Sequence, residues 1–442
     1  MVFLWATSNN SLRGAFAAIP LIPVLGDNSY DVPYYDTSNN DYWKEQGNPY
    51  GGMMLKNQNE NRNVNFTGNI YAELEPIKNL KFRTQLGTVY STSEYRSFSP
   101  MYKLSPYDFN ETKTTASQSM GHGFSMTWTN TLSYNWNWND HALSALVGME
   151  SYRYEGTSLY AANGYLKDGY DTWKFAYLSN TTGSSTDDGM SISGAPHNDA
   201  RTVSYFGRLG WNWKETYMVN ATLRADGSSK FAKGHRYGYF PSVSAGWTVT
   251  NESFMKGASS WLDFLKLRAS WGQVGNQNIS DFQYLGRVTS SNTHYNFGTS
   301  LGGSAQSGNW GAYPSRLSNP ELTWETSEQT NLGLDARLIN NHLGINVDWY
   351  WKTTKDWLVV RPVLDTAGTN PPYTNGGDVK NYGLELNLTW NDNIGKDFRY
   401  QLGANMAYNH NEVGNIPTAD GIIHGQTNML YDNSDEFYRA EN

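Results

Sequence analysis

The chain has 442 residues, 33 Lys+Arg against 41 Asp+Glu for a formal net charge of −8, and no cysteine. Only 17% of its residues are charged and 38% apolar, yet 15% are aromatic, including 17 Trp and 31 Tyr. These figures exclude a strongly basic nucleic-acid binder, an aromatic-poor disordered chain, and any disulfide scaffold, thiol catalyst or cysteine-ligated zinc site.

The start, Met1-Val2-Phe3-Leu4-Trp5-Ala6, has no basic region before it and turns polar at Thr7, so it does not read as a signal peptide. No stretch reaches the ~20 apolar residues of a membrane-spanning helix, and the mean hydropathy of −0.64 fits none. Such a chain is either cytoplasmic or a piece whose true start lies upstream. Residues 1–62 show no clear alternation and read as a loop and strand remnant.

From there the hydrophobic period is two, which is the period of a strand with one apolar and one polar face. In chain order, hairpins are expected at 63–74 with 79–90, 121–138 with 141–154, 202–214 with 216–226, 241–250 with 263–272, 323–338 with 342–356, and 379–390 with 398–410. The third hairpin is typical. Val203, Tyr205, Gly207, Leu209, Trp211 and Trp213 share one face, and Ser204, Arg208, Gly210, Asn212 and Lys214 share the other, with Phe206 as the intruder. Five hairpins close through short connections such as Asn139-Asp140, the exception being 251–262; the connections between hairpins are long and rich in Gly, Ser and Asn, as at 155–201 and 273–322. Short turns at one end and long loops at the other describe an antiparallel transmembrane β-barrel with periplasmic turns and extracellular loops. Residues 413–442 read as a further extracellular loop.

Aromatic residues gather where strands meet the short turns: Trp136, Trp138, Trp211, Trp213, Tyr217, Trp390, Phe398 and Tyr400. That is the place for a membrane-interface girdle, and the Ser-, Thr- and Asn-rich opposite face suits a hydrated lumen. The competing fold is a soluble all-β sandwich or barrel that binds carbohydrate or acts as an adhesin, because its strands alternate too.

Several longer motifs carry a resemblance: Ser204-Tyr-Phe-Gly-Arg208, Ala221-Thr-Leu-Arg-Ala-Asp-Gly-Ser-Ser-Lys-Phe231, Gly238-Tyr-Phe-Pro-Ser-Val-Ser-Ala-Gly-Trp247, Leu265-Lys-Leu-Arg-Ala-Ser-Trp-Gly272, Gly275-Asn-Gln-Asn278, Asn319-Pro-Glu-Leu-Thr-Trp-Glu-Thr326 and Gly377-Asp-Val-Lys-Asn-Tyr-Gly-Leu-Glu385. Together with Pro20-Leu-Ile-Pro-Val24, they resemble the barrel of SusC/RagA-type TonB-dependent outer-membrane transporters of Bacteroidetes. The resemblance implies a 22-stranded barrel occluded by an N-terminal plug, importing oligosaccharides or peptides with TonB and a SusD-like surface lipoprotein. About twelve strands are visible, with no plug and no TonB box, so the expectation is a partial barrel embedded in outer-membrane lipid, cut at both ends.

Chemical motifs are sparse. Gly298-Thr-Ser300-Leu-Gly302 matches the hydrolase nucleophile pattern, but it lies in a Gly/Ser/Asn-rich loop without the strand-to-helix turn that chemistry needs. The eight histidines are scattered, so no metal, cofactor or catalytic residue is expected; Asp187-Asp188-Gly189 and Asp226-Gly227 read as turns. Loop aromatics are the binding candidates: Trp310 and Tyr313, Tyr373 with Asn375, and Trp173 with Tyr177. Flat rings stack on sugar faces and amides bond hydroxyls, whereas the alternative for each is packing between loops or against a lid protein.

Overall fold

The structure, a computed structural model, describes residues 18–30, 32–42, 44, 47–184, 190–197, 201–290, 294–295, 309–361, 363, 365–416, 422–424 and 436–439. Period-two alternation becomes twelve long antiparallel strands: β1 (Asn59–Ile77), β2 (Leu80–Ser99), β3 (Thr115–Trp138), β4 (His141–Gly164), β5 (Arg201–Trp213), β6 (Tyr217–Ser228), β7 (Tyr237–Thr248), β8 (Leu262–Asn276), β9 (Glu325–Leu338), β10 (Leu343–Lys355), β11 (Val379–Ile394) and β12 (Phe398–Val413). Backbone pairing follows chain order from β1 to β12, with the short strand Ser191–His197 added to β4. Among the described residues β1 and β12 end this path, each with one neighbouring strand.

The turns explain their own residues. Asn79, Asn139, Asn340 and Asn341 take φ values of 69°, 49°, 53° and 62°. Tight hairpin turns that match strand twist need φ > 0, and asparagine tolerates it better than most side chains. The connection from β7 to β8 is the long one at this end, built from 3-10 segments Val249–Asn251 and Ser253–Ala258.

Several expectations are corrected. The first four strands run further than their apolar alternation: β2 reaches Ser99 and β4 reaches Gly164. Ladder hydrogen bonds satisfy the backbone whatever the side chains are, so polar stretches extend a strand once pairing has begun. Within 1–62 lies a helix, α1 (Pro49–Lys56), in place of loop and strand alone; the Asn48 side chain caps it by accepting from the Gly51 N–H at 3.1 Å, and Pro49 stands at its first position. Phe206 is the intruder the alternation marks, and its place there has a packing reason. It stands on the polar face over Gly148, where a Cβ would collide with its ring, and the Arg224 guanidinium lies 5.4 Å from the ring centroid.

The chain forms two compact units. The first holds residues 1–68, 88–125 and 154–199. In it, Leu55 of α1 packs with Tyr102 and the fully buried Leu104, and Lys56 pairs with Asp108 at 2.6 Å. Burial, with the Asp108 carboxylate beside it, holds the Tyr102 phenol above its ordinary value. A second cluster joins Phe98, Ala116, Leu166 and Ala176, with Trp173 against it. The other unit holds 69–87, 126–153 and 200–442, and contains all of β5 to β12.

Candidate functional site

In this larger unit the strands present two chemically opposite faces. Register places Trp211, Val219, Ala245, Ala269, Leu332, Trp349, Leu384 and Tyr408 in one row across β5 to β12, all on the apolar face. The large side chains of this face are open to the surroundings: Leu209 is 65% exposed, Leu223 54% and Met406 56%. A contiguous exposed apolar surface of this extent is what lipid, not water, covers.

Aromatic rings border the face at the short-turn end. Trp136, Trp138, His141, Trp213, Tyr217 and Trp247 form a continuous stack with successive centroids 6.3, 5.7, 6.2, 5.6 and 6.3 Å apart. Trp211 joins it by donating its indole N–H to His141 Nδ1 at 3.1 Å. Trp390 stacks on His342 at 5.9 Å, and Phe398 on Tyr400 at 6.2 Å. The Glu252 carboxylate pins two members, accepting from Tyr217 Oη at 2.5 Å and Trp247 Nε1 at 3.2 Å.

A second row of rings, missed in the sequence, lies further along the same face. Tyr205, Tyr239, Tyr382 and Tyr408 each sit eight residues from a ring of the first row: Trp213, Trp247, Trp390 and Tyr400. Eight residues span ~26 Å along a strand, or about 20 Å perpendicular to a bilayer at a 35–45° tilt. Repetition of that spacing was the available signal.

The opposite face carries charge. Arg268 donates to both oxygens of Asp335, Nε at 2.7 Å and Nη2 at 3.0 Å, and reaches Asp348 at 3.1 Å. It crosses to Asp348 over Gly333, where a Cβ would lie 2.6 Å from Arg268 Cζ. Asp348 in turn stands directly opposite Glu385, and like charges in that position repel. Arg268→Leu is therefore expected to destabilise the protein by about 1–2 kcal/mol, less than a fully buried ion would cost because the side chain is 37% exposed. Urea unfolding in detergent micelles checks this; adding Asp348→Leu should restore part of the loss, since it removes the stranded carboxylate.

The loop aromatics are engaged to different degrees. Trp173 and Tyr177 clamp the Arg96 guanidinium, 3.9 and 4.4 Å from their centroids. Tyr373 lies beneath Arg316 at 4.8 Å and packs on a loop core. Asn375 bonds both Thr323 N and Thr323 O at 2.8 Å, which fixes a loop. Tyr313 is exposed in the strand Tyr313–Pro314, paired with Val288–Thr289. The backbone of Trp310 pairs with His294–Tyr295.

The sequence motifs converge on that loop core. Phe231, Phe240, Ile279, Leu322 and Trp324 bury one another, with Phe231 and Leu322 fully buried. Phe240 lies against Gly275 and Gly238, and a Cβ at either would collide with its ring. Trp324 Nε1 donates to Arg236 O at 2.8 Å, Lys230 Nζ to Ile279 O at 2.7 Å, and Asn276 Nδ2 to Glu325 at 3.0 Å. Gly298 to Gly302, with Ser300, and Asp187 to Gly189 lie outside the described residues. Asp226 pairs with Arg224 at 2.7 Å, and no group of three or more His, Cys, Asp or Glu that could hold a metal forms among the described residues.

An antiparallel sheet with a ring-bordered apolar face and a charged opposite face is the wall of a transmembrane β-barrel. Residues 7–434 match the family described as TonB dependent receptor-like, beta-barrel, and the chain belongs to this family. It is 27% identical over 418 residues to TonB-dependent receptor P3 of Formosa agariphila, covering 92% of this chain and 38% of that protein. With TonB-dependent receptor SusC of Bacteroides thetaiotaomicron it shares 35% identity over 224 residues, 49% of this chain and 21% of that one. A solved structure of the RagAB peptide transporter superposes with a TM-score of 0.68 at 27% identity, covering 83% of this chain and 38% of that chain. The chain thus spans about two fifths or less of the length of these relatives. It is an outer-membrane β-barrel protein of Bacteroidetes type.

Proposed function

We propose that this chain is part of the wall of a TonB-dependent importer of large nutrients, oligosaccharides or peptides, that works with a SusD-like surface lipoprotein. The observation that carries the proposal is the two-faced sheet: lipid-facing Leu, Val, Trp and Tyr on one side, and a hydrated Arg268–Asp335–Asp348 network on the other. A soluble carbohydrate binder would not leave so continuous an apolar face uncovered. The membrane hairpins are assigned to residues 63–412, a span that the strand ends extend to Asn59 and Val413, and Trp136, Trp138, Trp211, Trp213, Tyr217, Trp390, Phe398 and Tyr400 are assigned to the periplasmic-side girdle.

Cargo contact is assigned first to Tyr313, whose ring is exposed, with Trp310 kept as a candidate from its place in the same loop. The rings of Trp173, Tyr177 and Tyr373 already carry arginines, and Asn375 is spent on Thr323. No catalysis is assigned to the chain, and TonB supplies the energy. Deleting the gene is expected to abolish growth on one class of polymer, glycan or peptide, as sole nutrient, with recovery on complementation. Unchanged growth and unchanged uptake of labelled oligosaccharides and peptides would remove the proposal.

A further inference from the structure

The 249–261 connection is unlike the other turns at its end of the sheet. It is long, it is built from 3-10 segments, and it presents Phe254 (66% exposed) and Trp261 (54% exposed). The neighbouring turn adds Ile339, 47% exposed. The two turns are bonded together, Ile339 N–H to Trp261 O at 2.9 Å and Asn341 N–H to Asp263 at 2.8 Å. Ile339 has a φ of 59°, a conformation that favours Gly or Asn and penalises a branched side chain, so the backbone gives no reason for isoleucine there.

The same connection is fastened to the ring-bordered face. Glu252, at its base, holds Tyr217 and Trp247 of the aromatic stack, so the connection sets out from the ring-bordered face. Lys256 stands among them, at the end of Ser253–Ala258. Exposed Phe and Trp next to a lysine is the composition of a segment lying in the headgroup and acyl boundary.

We infer that the 249–261 connection is a membrane foot that inserts Phe254 and Trp261 into the phospholipid of the periplasmic leaflet. Ile339 completes the apolar surface, and Lys256 reaches the phosphates. The tip Gly395-Lys396-Asp397 of the β11–β12 turn is exposed and charged, between Ile394 and Phe398 at 65% and 58% exposure, and serves as the comparison. The inference rests on the placement of the apolar face in the bilayer and is independent of transport.

Absence of cysteine gives a direct test. Phe254→Cys, Trp261→Cys, Lys396→Cys and Leu332→Cys are each labelled with a polarity-sensitive fluorophore in the whole chain, reconstituted in phosphatidylethanolamine-containing nanodiscs. Iodide in water and doxyl groups placed shallowly in the lipid then serve as opposing quenchers. The labels at 254 and 261 are expected to be quenched at least twofold less by iodide, and at least twofold more by doxyl lipid, than the label at 396. A smaller difference in either measurement overturns the inference. The label at 332 reports separately on the apolar face: if lipid quenches it while 254 and 261 behave as water-exposed, the foot fails and the barrel assignment stands. If 332 is also water-exposed, the placement of the sheet in the bilayer fails.

Discussion

Leu386→Arg is expected to destabilise the protein in a bilayer by about 2–4 kcal/mol, the cost of a cation on the lipid face near the midplane. Leu386 lies four residues from Tyr382 and four from Trp390, midway between the two rows of rings, and its cross-strand partners Val347 and Met406 are also apolar. The next residue, Asn387, faces the other way, between Asn346 and Asn405. Asn387→Arg is expected to stay within about 0.5 kcal/mol, because a surface substitution in a hydrated setting strands nothing. Urea unfolding of both variants in lipid vesicles compares them directly. Equal costs at 386 and 387 would show that the two faces do not see different solvents.

Phe231→Ala is expected to cost about 3–5 kcal/mol, the range for truncating a buried aromatic ring. Its side chain is fully buried and lies 5.5 Å from Trp324, ring centroid to ring centroid. Phe240, Ile279 and Leu322 close around the same space, and none can swing in to fill it without abandoning its own neighbours. The loss should appear as faster proteolysis of the loops at 277–285 and 311–324, with the strands intact. Trp324→Phe keeps most of the packing and gives up the 2.8 Å bond to Arg236 O, for about 0.5–1.5 kcal/mol. Tyr313→Ala, at an exposed ring, sets the baseline; matching it would mean that Phe231 does not hold the loops.

Much of the architecture was legible because a strand's two faces are written in alternate residues. Leu343, Ile345, Val347, Trp349 and Trp351 announce β10 without help from any other part of the chain, Asn340 announces the turn before it, and Asn139 announces the turn between β3 and β4. Strand ends were less legible. Ser91 to Ser99 and Gly156 to Gly164 belong to strands through backbone pairing alone, and pairing depends on residues far away in sequence. The motifs that carried the resemblance also concealed their role. Phe231, Gly238, Phe240, Gly275, Leu322 and Trp324 are spread over nearly a hundred residues, and only their meeting shows them to be a packing unit. The engagement of the loop aromatics was equally hidden, since nothing near Trp173 or Tyr177 in sequence names Arg96 as the cation between them.

The eight-residue interval between ring rows limits how these strands can change in length. One residue inserted between Tyr382 and Trp390 would turn every later side chain of the strand over, sending Trp390 toward the charged side and asparagines toward lipid. Two inserted residues would preserve the facing but carry Trp390 about 5 Å past the headgroups at a 35–45° tilt. Insertions are therefore expected to be tolerated in the loops and turns and not within the spans. With the ring rows at the two headgroup levels, as proposed above, the same interval on β5, β7, β11 and β12 would make the protein a gauge of one membrane thickness, and a bilayer a few ångströms thicker would have to thin around it or leave a ring row in hydrocarbon.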